Sequence, residues 1–223
     1  MLKRKIITTA DGSTSLHIPE WNEHYHSKHG AIQEARHVFE QMGLNYYLNQ
    51  GTFSQIKVLE AGFGTGLNAL MTFNWAKLNT IKVHYKSLEA YPITEDEMEQ
   101  LNFSSTFGDI EPEFKKLHQA EWDSPFEIHS LFTLEKMHQK FSELSESNWA
   151  DIIFYDAFGP RVQPKLWEIN ILKKFYDALT TKGIFVTYCA KGQVRRNLEQ
   201  LGFQVERLAG PPGKREMLRG IKS

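Results

Sequence analysis

A hydrophobic strand that runs directly into a glycine-rich turn constrains the fold of this chain more than any other feature. Val58-Leu59-Glu60-Ala61 is followed by Gly62-Phe63-Gly64-Thr65-Gly66 and then by Leu67-Asn68, where a helix is expected to begin. Glycines let the backbone approach a ligand closely and adopt a positive φ. In open α/β sheets such turns lie at the carboxyl edge of the parallel strands, where ligands bind. The segment therefore predicts a ligand-binding strand-turn-helix unit, and a tight connection without a ligand is the alternative.

Strand-like runs alternate with helix-length segments through most of the chain. This alternation is typical of right-handed βαβ units, so we expect an α/β, Rossmann-like fold with a mostly parallel central sheet. The long interval 96–123 is predicted to contain additional helices, and Thr94 with Glu97 predicts a capping box. Gly183 and Gly202 predict helix ends. The predicted strands are residues 56–59, 83–88, 128–134, 152–155, 184–188 and 203–205.

The first 50 residues carry a different pattern. Asp11-Gly12 lies between two β-prone runs, which predicts a small hairpin. Apolar residues at helical spacing over residues 30–42 predict a helix that Gly43 stops. We therefore divide the chain into an N-terminal hairpin and helix extension, residues 1–50, packed on a main domain, residues 51–223.

The net charge of −1 for 223 residues hides an asymmetry. Residues 1–156 hold 13 basic and 22 acidic side chains, whereas residues 157–223 hold 13 basic and 5 acidic ones. A polyanion-binding surface is therefore expected in the C-terminal part if the chain has one. The single cysteine, Cys189, agrees with a reducing compartment. Because the sequence shows neither a signal peptide nor an apolar run of ~20 residues, we predict a cytoplasmic protein without membrane contact.

The spacing of the glycines separates two kinds of cofactor. A dinucleotide fingerprint reads G-x-G-x-x-G, and an NAD or FAD protein is disfavoured because the third glycine here comes one position early. The E-x-G-x-G-x-G form, with Glu89 closing the next strand, resembles the S-adenosylmethionine (SAM) site of class I methyltransferases. That resemblance implies that Glu89 accepts hydrogen bonds from both ribose hydroxyls. The expected SAM-binding residues are Glu60, Gly62, Phe63, Gly64, Gly66, Asn68 and Glu89.

A second buried-strand pattern, Ile152-Ile153-Phe154-Tyr155, ends in the carboxylate of Asp156. In a doubly wound sheet the end of this strand lies beside the glycine turn, so Asp156 is expected to face the reactive methyl group. An alkylamine acceptor is protonated at neutral pH and must lose a proton before it attacks. We predict that Asp156 is the catalytic residue, mainly as an orienter of the amine and secondarily as a base. A structural Asp-turn is the alternative.

Six blocks of the sequence together resemble the methyltransferase domain of the MnmC family, in its stand-alone MnmD-like form. The most specific blocks are Asp156-Ala157-Phe158 and Gly213-Lys214-Arg215-Glu216-Met217-Leu218. The resemblance implies a SAM-dependent enzyme that converts 5-aminomethyluridine, often 2-thiolated, at the tRNA wobble position to 5-methylaminomethyluridine. For a chain of this length it implies no FAD, and it implies separate upstream enzymes that supply the aminomethyl precursor. The other blocks are residues 60–68, 87–92, 164–167 and 194–198.

One position departs from the family pattern. A Gly-Asp pair after the third strand often serves the adenine in this family, whereas this chain has Phe132-Thr133-Leu134-Glu135-Lys136. We assign Glu135 as the substitute. His24, His26 and His29 lie close together, but polar segments of this kind more often hold no metal, and we assign none.

A tRNA substrate gives the basic C-terminal part a function, because phosphates attract arginine and lysine. A wobble base that leaves its stack needs an aromatic wall, for which Phe158 and Tyr25 are the candidates. The candidate tRNA contacts are Arg161, Lys191, Arg195, Arg196, Lys214 and Arg215.

Two other functions remain open on the sequence alone. A class I methyltransferase with a small-molecule or protein amine as acceptor would use the same cofactor but would neither bind nor methylate RNA. A Rossmann-type oxidoreductase would use a nicotinamide or flavin cofactor, and it is distinguished by the ligand that raises its melting temperature.

Overall fold

The computed structural model describes residues 3–108 and 110–223. Three short strands form an antiparallel sheet near the N-terminus, with β1 (Lys5–Thr8) paired to β2 (Thr14–Ile18) and β2 paired to β3 (Glu23–His24). In the first pair Lys5 lies opposite His17 and Thr8 opposite Thr14. This register places Asp11-Gly12 at the turn, so the predicted hairpin is confirmed.

The main sheet contains eight strands within the described residues. Its order is β10-β11-β9-β8-β4-β5-β7-β6. The five central strands, β9, β8, β4, β5 and β7, are parallel to one another, whereas β10, β11 and β6 at the two edges pair antiparallel. The strands are β4 (Gln55–Ala61), β5 (Lys82–Leu88), β6 (Pro125–His129), β7 (Phe132–Met137), β8 (Ala150–Tyr155), β9 (Leu179–Thr187), β10 (Phe203–Ala209) and β11 (Glu216–Lys222).

Helices cover both faces of this sheet. The N-terminal helical segment starts as α1 (Ala31–Ala35), continues with π-type hydrogen bonding over Arg36–Asn45 and ends in the single turn α2 (Tyr46–Leu48). The remaining helices are α3 (Leu67–Asn79), α4 (Glu95–Glu99), α5 (Glu111–Gln119), α6 (Ile169–Ala178) and α7 (Gly192–Leu201).

The two apolar layers follow from side-chain alternation along the strands. In β4, Ile56 and Val58 pack into the layer of α3 and α1, whereas Leu59 and Ala61 pack into the layer of α6 and α7. The same alternation holds in β8. Such burial on both faces explains why these strands are apolar almost throughout, and it confirms the predicted Rossmann-like fold with a mostly parallel sheet.

Four local predictions were tested by the structure. The Thr94–Glu97 capping box is present, and Gly202 ends α7 with φ 102°. Gly43 does not stop its helix: the helical segment continues to Leu48, and the glycine instead lets the helix approach the Phe154 ring. Gly183 ends no helix, because it lies within β9.

Two strand predictions were wrong. Residues 128–134 form no single strand, because the chain reverses after His129 and β6 pairs antiparallel with β7. The ring Nδ1 of His129 accepts a hydrogen bond from the backbone N–H of Leu131 at this turn. Residues 216–222 form β11, a strand that the pattern did not predict. Within the described residues, no helix has both the length and the apolarity needed to cross a bilayer.

Candidate active site

A cavity of about 690 Å³ opens at the carboxyl ends of β4, β5 and β8. Its walls include the glycine turn after β4, Glu89 after β5 and Asp156 after β8. Residues of the N-terminal extension, among them Tyr25 and Glu34, close it on another side. The volume lies within the range of roughly 300–1,000 Å³ that is usual for small-molecule sites.

The glycine turn is held against β5 and lets neighbouring groups come close. The backbone N–H groups of Gly62 and Phe63 both donate to the carbonyl of Leu88, at 3.0 and 3.2 Å. A Cβ on Gly62 would lie 3.3 Å from the carbonyl oxygen of Asp156, and one on Gly64 would lie 3.3 Å from the Tyr25 ring. Gly64 also has φ 53°. Any side chain here would therefore push on Asp156 or Tyr25, or strain the turn.

The carboxylate of Glu89 faces the cavity and is fixed by two backbone donors. Its Oε2 accepts from the N–H of Gly64 at 3.0 Å, and its Oε1 accepts from the N–H of Tyr91 at 2.8 Å. Each carboxylate oxygen has two lone-pair directions, so one acceptor position on each oxygen is left for a ligand. This is the arrangement that a pair of neighbouring hydroxyls requires.

Asn68 joins two buried carboxyl groups behind the glycine turn. Its Nδ2 donates to Oε1 of Glu60 at 3.0 Å and to Oδ2 of Asp156 at 2.9 Å. The hydroxyl of Ser87 donates to Oε2 of Glu60 at 2.6 Å. Glu60 is fully buried, and burial raises its pKa to about 8, with Asp156 adding to the shift. Glu60 is therefore mostly protonated at neutral pH.

The carboxyl group of Asp156 has a pKa close to neutral pH. Burial and, to a smaller extent, the nearby carboxylate of Glu34 raise its pKa to about 7, against the Asn68 hydrogen bond and the charge of Lys214, which lower it. Among the described residues, none donates a hydrogen bond to Oδ1 of Asp156. Asn68 thus fixes one oxygen of the carboxyl group and leaves the other for a molecule in the cavity.

Aromatic side chains form the wall of the cavity on the side of the N-terminal extension. Phe158 packs edge-on against Tyr25, with centroids 5.1 Å apart, and against Trp21, with centroids 5.8 Å apart. Burial raises the pKa of the Tyr25 hydroxyl to about 12, so the phenol stays neutral. All three side chains line the cavity.

The comparisons with known proteins bear on the cofactor. The profile of a family described as S-adenosyl-L-methionine-dependent methyltransferase matches residues 109–223, about half of the chain. The chain belongs to this methyltransferase family.

Two curated relatives match nearly the whole of this methyltransferase. The tRNA 5-methylaminomethyl-2-thiouridine biosynthesis bifunctional protein MnmC of Paracidovorax citrulli is 30% identical over 214 residues, which are 90% of this chain and 33% of that protein. The protein of the same name from Polaromonas naphthalenivorans is 31% identical over 225 residues, 95% of this chain and 34% of that protein. The chain spans about a third of the length of these relatives.

A solved structure is similar over the same extent. The crystal structure of MnmC2 from Aquifex aeolicus gives a TM-score of 0.82 at 25% identity and covers 99% of this chain and 70% of that one. The predicted resemblance to the MnmC methyltransferase domain, the class I methyltransferase fold and SAM as cofactor are thus confirmed.

The cavity fits SAM on the features described above. The glycine turn leaves room that any Cβ would fill, and Glu89 offers acceptor positions suited to the ribose hydroxyls. Beyond the end of β7, the cavity wall continues with Lys140, Phe141 and Ser142.

Three residues predicted to bind SAM do not line the cavity. Glu135 projects from within β7, where it pairs with Lys86 at 3.3 Å. Glu60 lies behind the glycine turn and does not line the cavity. Gly66 also lies outside the lining, where a Cβ would meet the His118 ring at 2.9 Å. The cavity is lined by the other five predicted residues, Gly62, Phe63, Gly64, Asn68 and Glu89.

The candidate tRNA contacts occupy two different environments. Lys214 lines the cavity and pairs with Glu34. None of the other five residues lines the cavity. Arg161 pairs with Glu23 of the N-terminal extension at 2.5 Å. Lys191 and Arg196 are exposed and Arg195 is half-buried near the start of α7, and the Arg215 side chain is 94% exposed.

The three clustered histidines take separate roles. His24 stacks on His17 with ring centroids 4.3 Å apart, and His26 hydrogen-bonds with the hydroxyls of Ser15 and Thr65. His29 is exposed. Across residues 3–108 and 110–223, no three acidic, histidine or cysteine side chains come together as a metal site.

Sequence reasoning missed Glu34 and Tyr188 as site residues. Glu34 had a signal, since it lies on the same helical face as Ala31, Ala35 and Val38, which are buried apolar residues. A carboxylate on such a face usually has a partner or a function. Tyr188 directly follows β9, and its place at the end of the predicted strand 184–188 was a signal that it lies at the carboxyl edge of the sheet.

Proposed function

We propose that this methyltransferase converts 5-aminomethyluridine, with or without 2-thiolation, at the tRNA wobble position to 5-methylaminomethyluridine. The relatives that match 90% or more of the chain are named for the biosynthesis of 5-methylaminomethyl-2-thiouridine in tRNA. The acceptor in that reaction is a primary amine, and the cavity offers a carboxyl group suited to an amine. A tRNA substrate also implies that the protein is cytoplasmic.

Bound SAM supplies an electrophilic methyl group on a sulfonium. We propose that Glu89 holds the ribose hydroxyls with the acceptor positions left on its two oxygens. The backbone of Gly62, Phe63 and Gly64 passes along the cavity and keeps the cofactor close to β8. Asn68 contributes by keeping Asp156 in place beside the turn.

Asp156 receives and orients the amine in this proposal. An alkylammonium has an ordinary pKa near 10.4, so the substrate arrives protonated. The free Oδ1 of Asp156 can accept a hydrogen bond from that ammonium and then its proton. A pKa of about 7 makes this carboxylate a stronger base than an exposed aspartate, while it remains largely ionised above pH 7. Methylation should therefore slow as the pH falls below about 7.

The aromatic wall suits a base that has left its stack. Tyr25 and Phe158 both line the cavity and are only partly buried, so they can offer ring surface for stacking. Lys191, Arg195, Arg196 and Arg215 lie outside the cavity on the basic C-terminal part, where they can contact the phosphates of the anticodon arm. Separate enzymes must install the aminomethyl group on the uridine beforehand.

One observation carries the proposal. The carboxyl group of Asp156, held by Asn68 at 2.9 Å, shares a cavity with the glycine turn and an aromatic wall, in a chain similar to tRNA-modifying proteins.

The test uses the purified protein, SAM labelled in the methyl group, and three acceptors. These are tRNA with 5-aminomethyl-2-thiouridine at the wobble position, the same tRNA with unmodified uridine there, and a free alkylamine. Mass analysis of the nucleosides should show one added methyl group in the first tRNA only. Methyl transfer to the free amine with none to either tRNA would reject the tRNA substrate and favour a small-molecule acceptor.

A further inference from the structure

The ammonium group of Lys214 contacts two groups of the acceptor side. Its Nζ donates to Oε1 of Glu34 and lies 3.7 Å from the centroid of the Tyr188 ring. Glu34 itself is 92% buried and accepts a second hydrogen bond from the backbone N–H of Ser27 at 2.8 Å. Because the Lys214 charge is already paired with a buried carboxylate, these contacts indicate a role other than the binding of phosphates.

The same contacts continue to the carboxyl group of Asp156. The hydroxyl of Tyr188 donates to the carbonyl of Ala157 at 2.8 Å, and Ala157 directly follows Asp156. On the other side, the backbone N–H of Asp156 donates to the carbonyl of Ala61 at 3.2 Å. Tyr188 therefore fixes the backbone just after Asp156, and Lys214 packs on the face of the Tyr188 ring.

We propose that Lys214, held by Glu34 and packed on Tyr188, is a positioning residue of the acceptor site that acts through Asp156, and is not a contact for RNA phosphates. This inference rests on the proposed role of Asp156 as the group that receives an amine. It assigns Glu34 a role as well, since Glu34 keeps the ammonium in place and supplies a second negative charge near Asp156.

The two charges act on Asp156 in opposite directions. Glu34 raises the pKa of Asp156, whereas Lys214 lowers it. Loss of the Lys214 charge should therefore raise that pKa, because Glu34 then acts unopposed. Loss of the Glu34 charge should lower it, because Lys214 then acts unopposed. The titratable and charged groups that face Asp156 are Glu60 of β4, Tyr85 of β5, Tyr188 after β9, Glu34 of α1 and Lys214.

The first experiment follows the titration of Asp156 without any substrate. The protein is labelled with carbon-13 at the aspartate carboxyl carbons, and the Asp156 signal is assigned by its loss in Asp156→Asn. Lys214→Met should move the Asp156 midpoint to higher pH, and Glu34→Gln should move it to lower pH. Lys173→Met, which breaks the exposed pair with Asp177 on α6, is the matched control and should leave the midpoint in place.

The second experiment separates positioning from phosphate binding. Lys214→Met should lower kcat, by up to about 10²-fold if the amine is misplaced, and should leave the salt dependence of tRNA binding unchanged. Lys214→Arg retains the charge and should recover part of kcat. A phosphate contact predicts the reverse, with kcat kept and the log-log salt slope reduced by about 0.7–0.9.

The outcomes distinguish this inference from the proposed substrate. Opposite shifts of the Asp156 midpoint support the positioning role even if no tRNA is methylated, in which case only the substrate proposal fails. An unmoved midpoint in both variants, or a reduced salt slope for Lys214→Met, would overturn the inference. Shifts in the same direction would also overturn it, because they indicate a general disturbance of the fold.

Discussion

The buried carboxyl group of Glu60 should make this protein less stable as the pH rises from 5 to 8. Glu60 is 0% exposed and accepts hydrogen bonds from Ser87 and Asn68. Burial raises its pKa from 4.5 to about 8. The folded state therefore binds a proton that the unfolded state has already released, and stability is lost as the pH rises from the unfolded pKa to the folded one.

The size of the effect follows from the two pKa values. Each unit of difference is worth about 1.4 kcal/mol. The cost of keeping Glu60 buried is then about 3 kcal/mol at pH 7 and about 5 kcal/mol above pH 8, and nearly zero at pH 4. Glu60→Gln removes the ionisable group, and its side chain can still accept from Asn68 while the Ser87 hydroxyl rotates to accept from the new amide.

The assay is urea unfolding of wild type and Glu60→Gln at pH 5, 6, 7 and 8. The stability difference should change in favour of the variant by about 2.5 kcal/mol between pH 5 and pH 7. Glu99→Gln, at an exposed position of α4, is the matched control. A stability difference that stays constant across this range would show that Glu60 is not held protonated in the folded protein. SAM affinity should stay close to that of wild type, and its loss in a folded variant would return Glu60 to the cofactor site.

Three further predictions concern the cofactor, the reaction and the tRNA. Glu89→Ala removes the ribose acceptors and the hydrogen bond to Gly64, and should weaken SAM binding by about 2–4 kcal/mol by calorimetry; equal affinity would exclude the assignment. Asp156→Asn should lower kcat by about 10²-fold or more with SAM affinity retained, and a variant that turns over normally would show that Asp156 is not catalytic. Four basic residues outside the cavity, Lys191, Arg195, Arg196 and Arg215, should be neutralised together, which should flatten the salt dependence of tRNA binding. If the plots of log affinity against log salt concentration for the variant and wild type are parallel with equal intercepts, these residues do not contact tRNA.

The sequence predicted those parts of the fold that depend on neighbouring residues. The β4 strand, the glycine turn and α3 follow each other directly, so their pattern is local and was read correctly. The hairpin of β6 and β7 was missed because its turn, Ser130-Leu131, contains none of the glycine, proline, asparagine or aspartate residues that usually mark a turn. At residue 182 the positive φ falls on lysine, whereas Gly183 serves close packing: a Cβ there would lie 2.8 Å from the Leu179 side chain.

Some site residues could likewise be predicted from the sequence, whereas others could not. Glu89 and Asp156 each end a strand, so strand order alone predicts that they lie at one edge of the sheet. Glu34 and Lys214 are 180 residues apart in sequence, and only the folded chain shows that they pair. Glu135 was assigned from an expected position after the third strand, but β7 extends to Met137 and its end lies beyond that residue.

The pairing of Glu34 with Lys214 also sets the order in which the two halves of the active site can be completed during synthesis. The glycine turn and Glu89 lie within one continuous stretch of β4, α3 and β5, so this half needs only short loops to close. The acceptor half requires a loop of 180 residues to close, and such contacts form late because their entropic cost is large. We expect a nascent chain that ends before Lys214 to form its cofactor half before it can hold an amine.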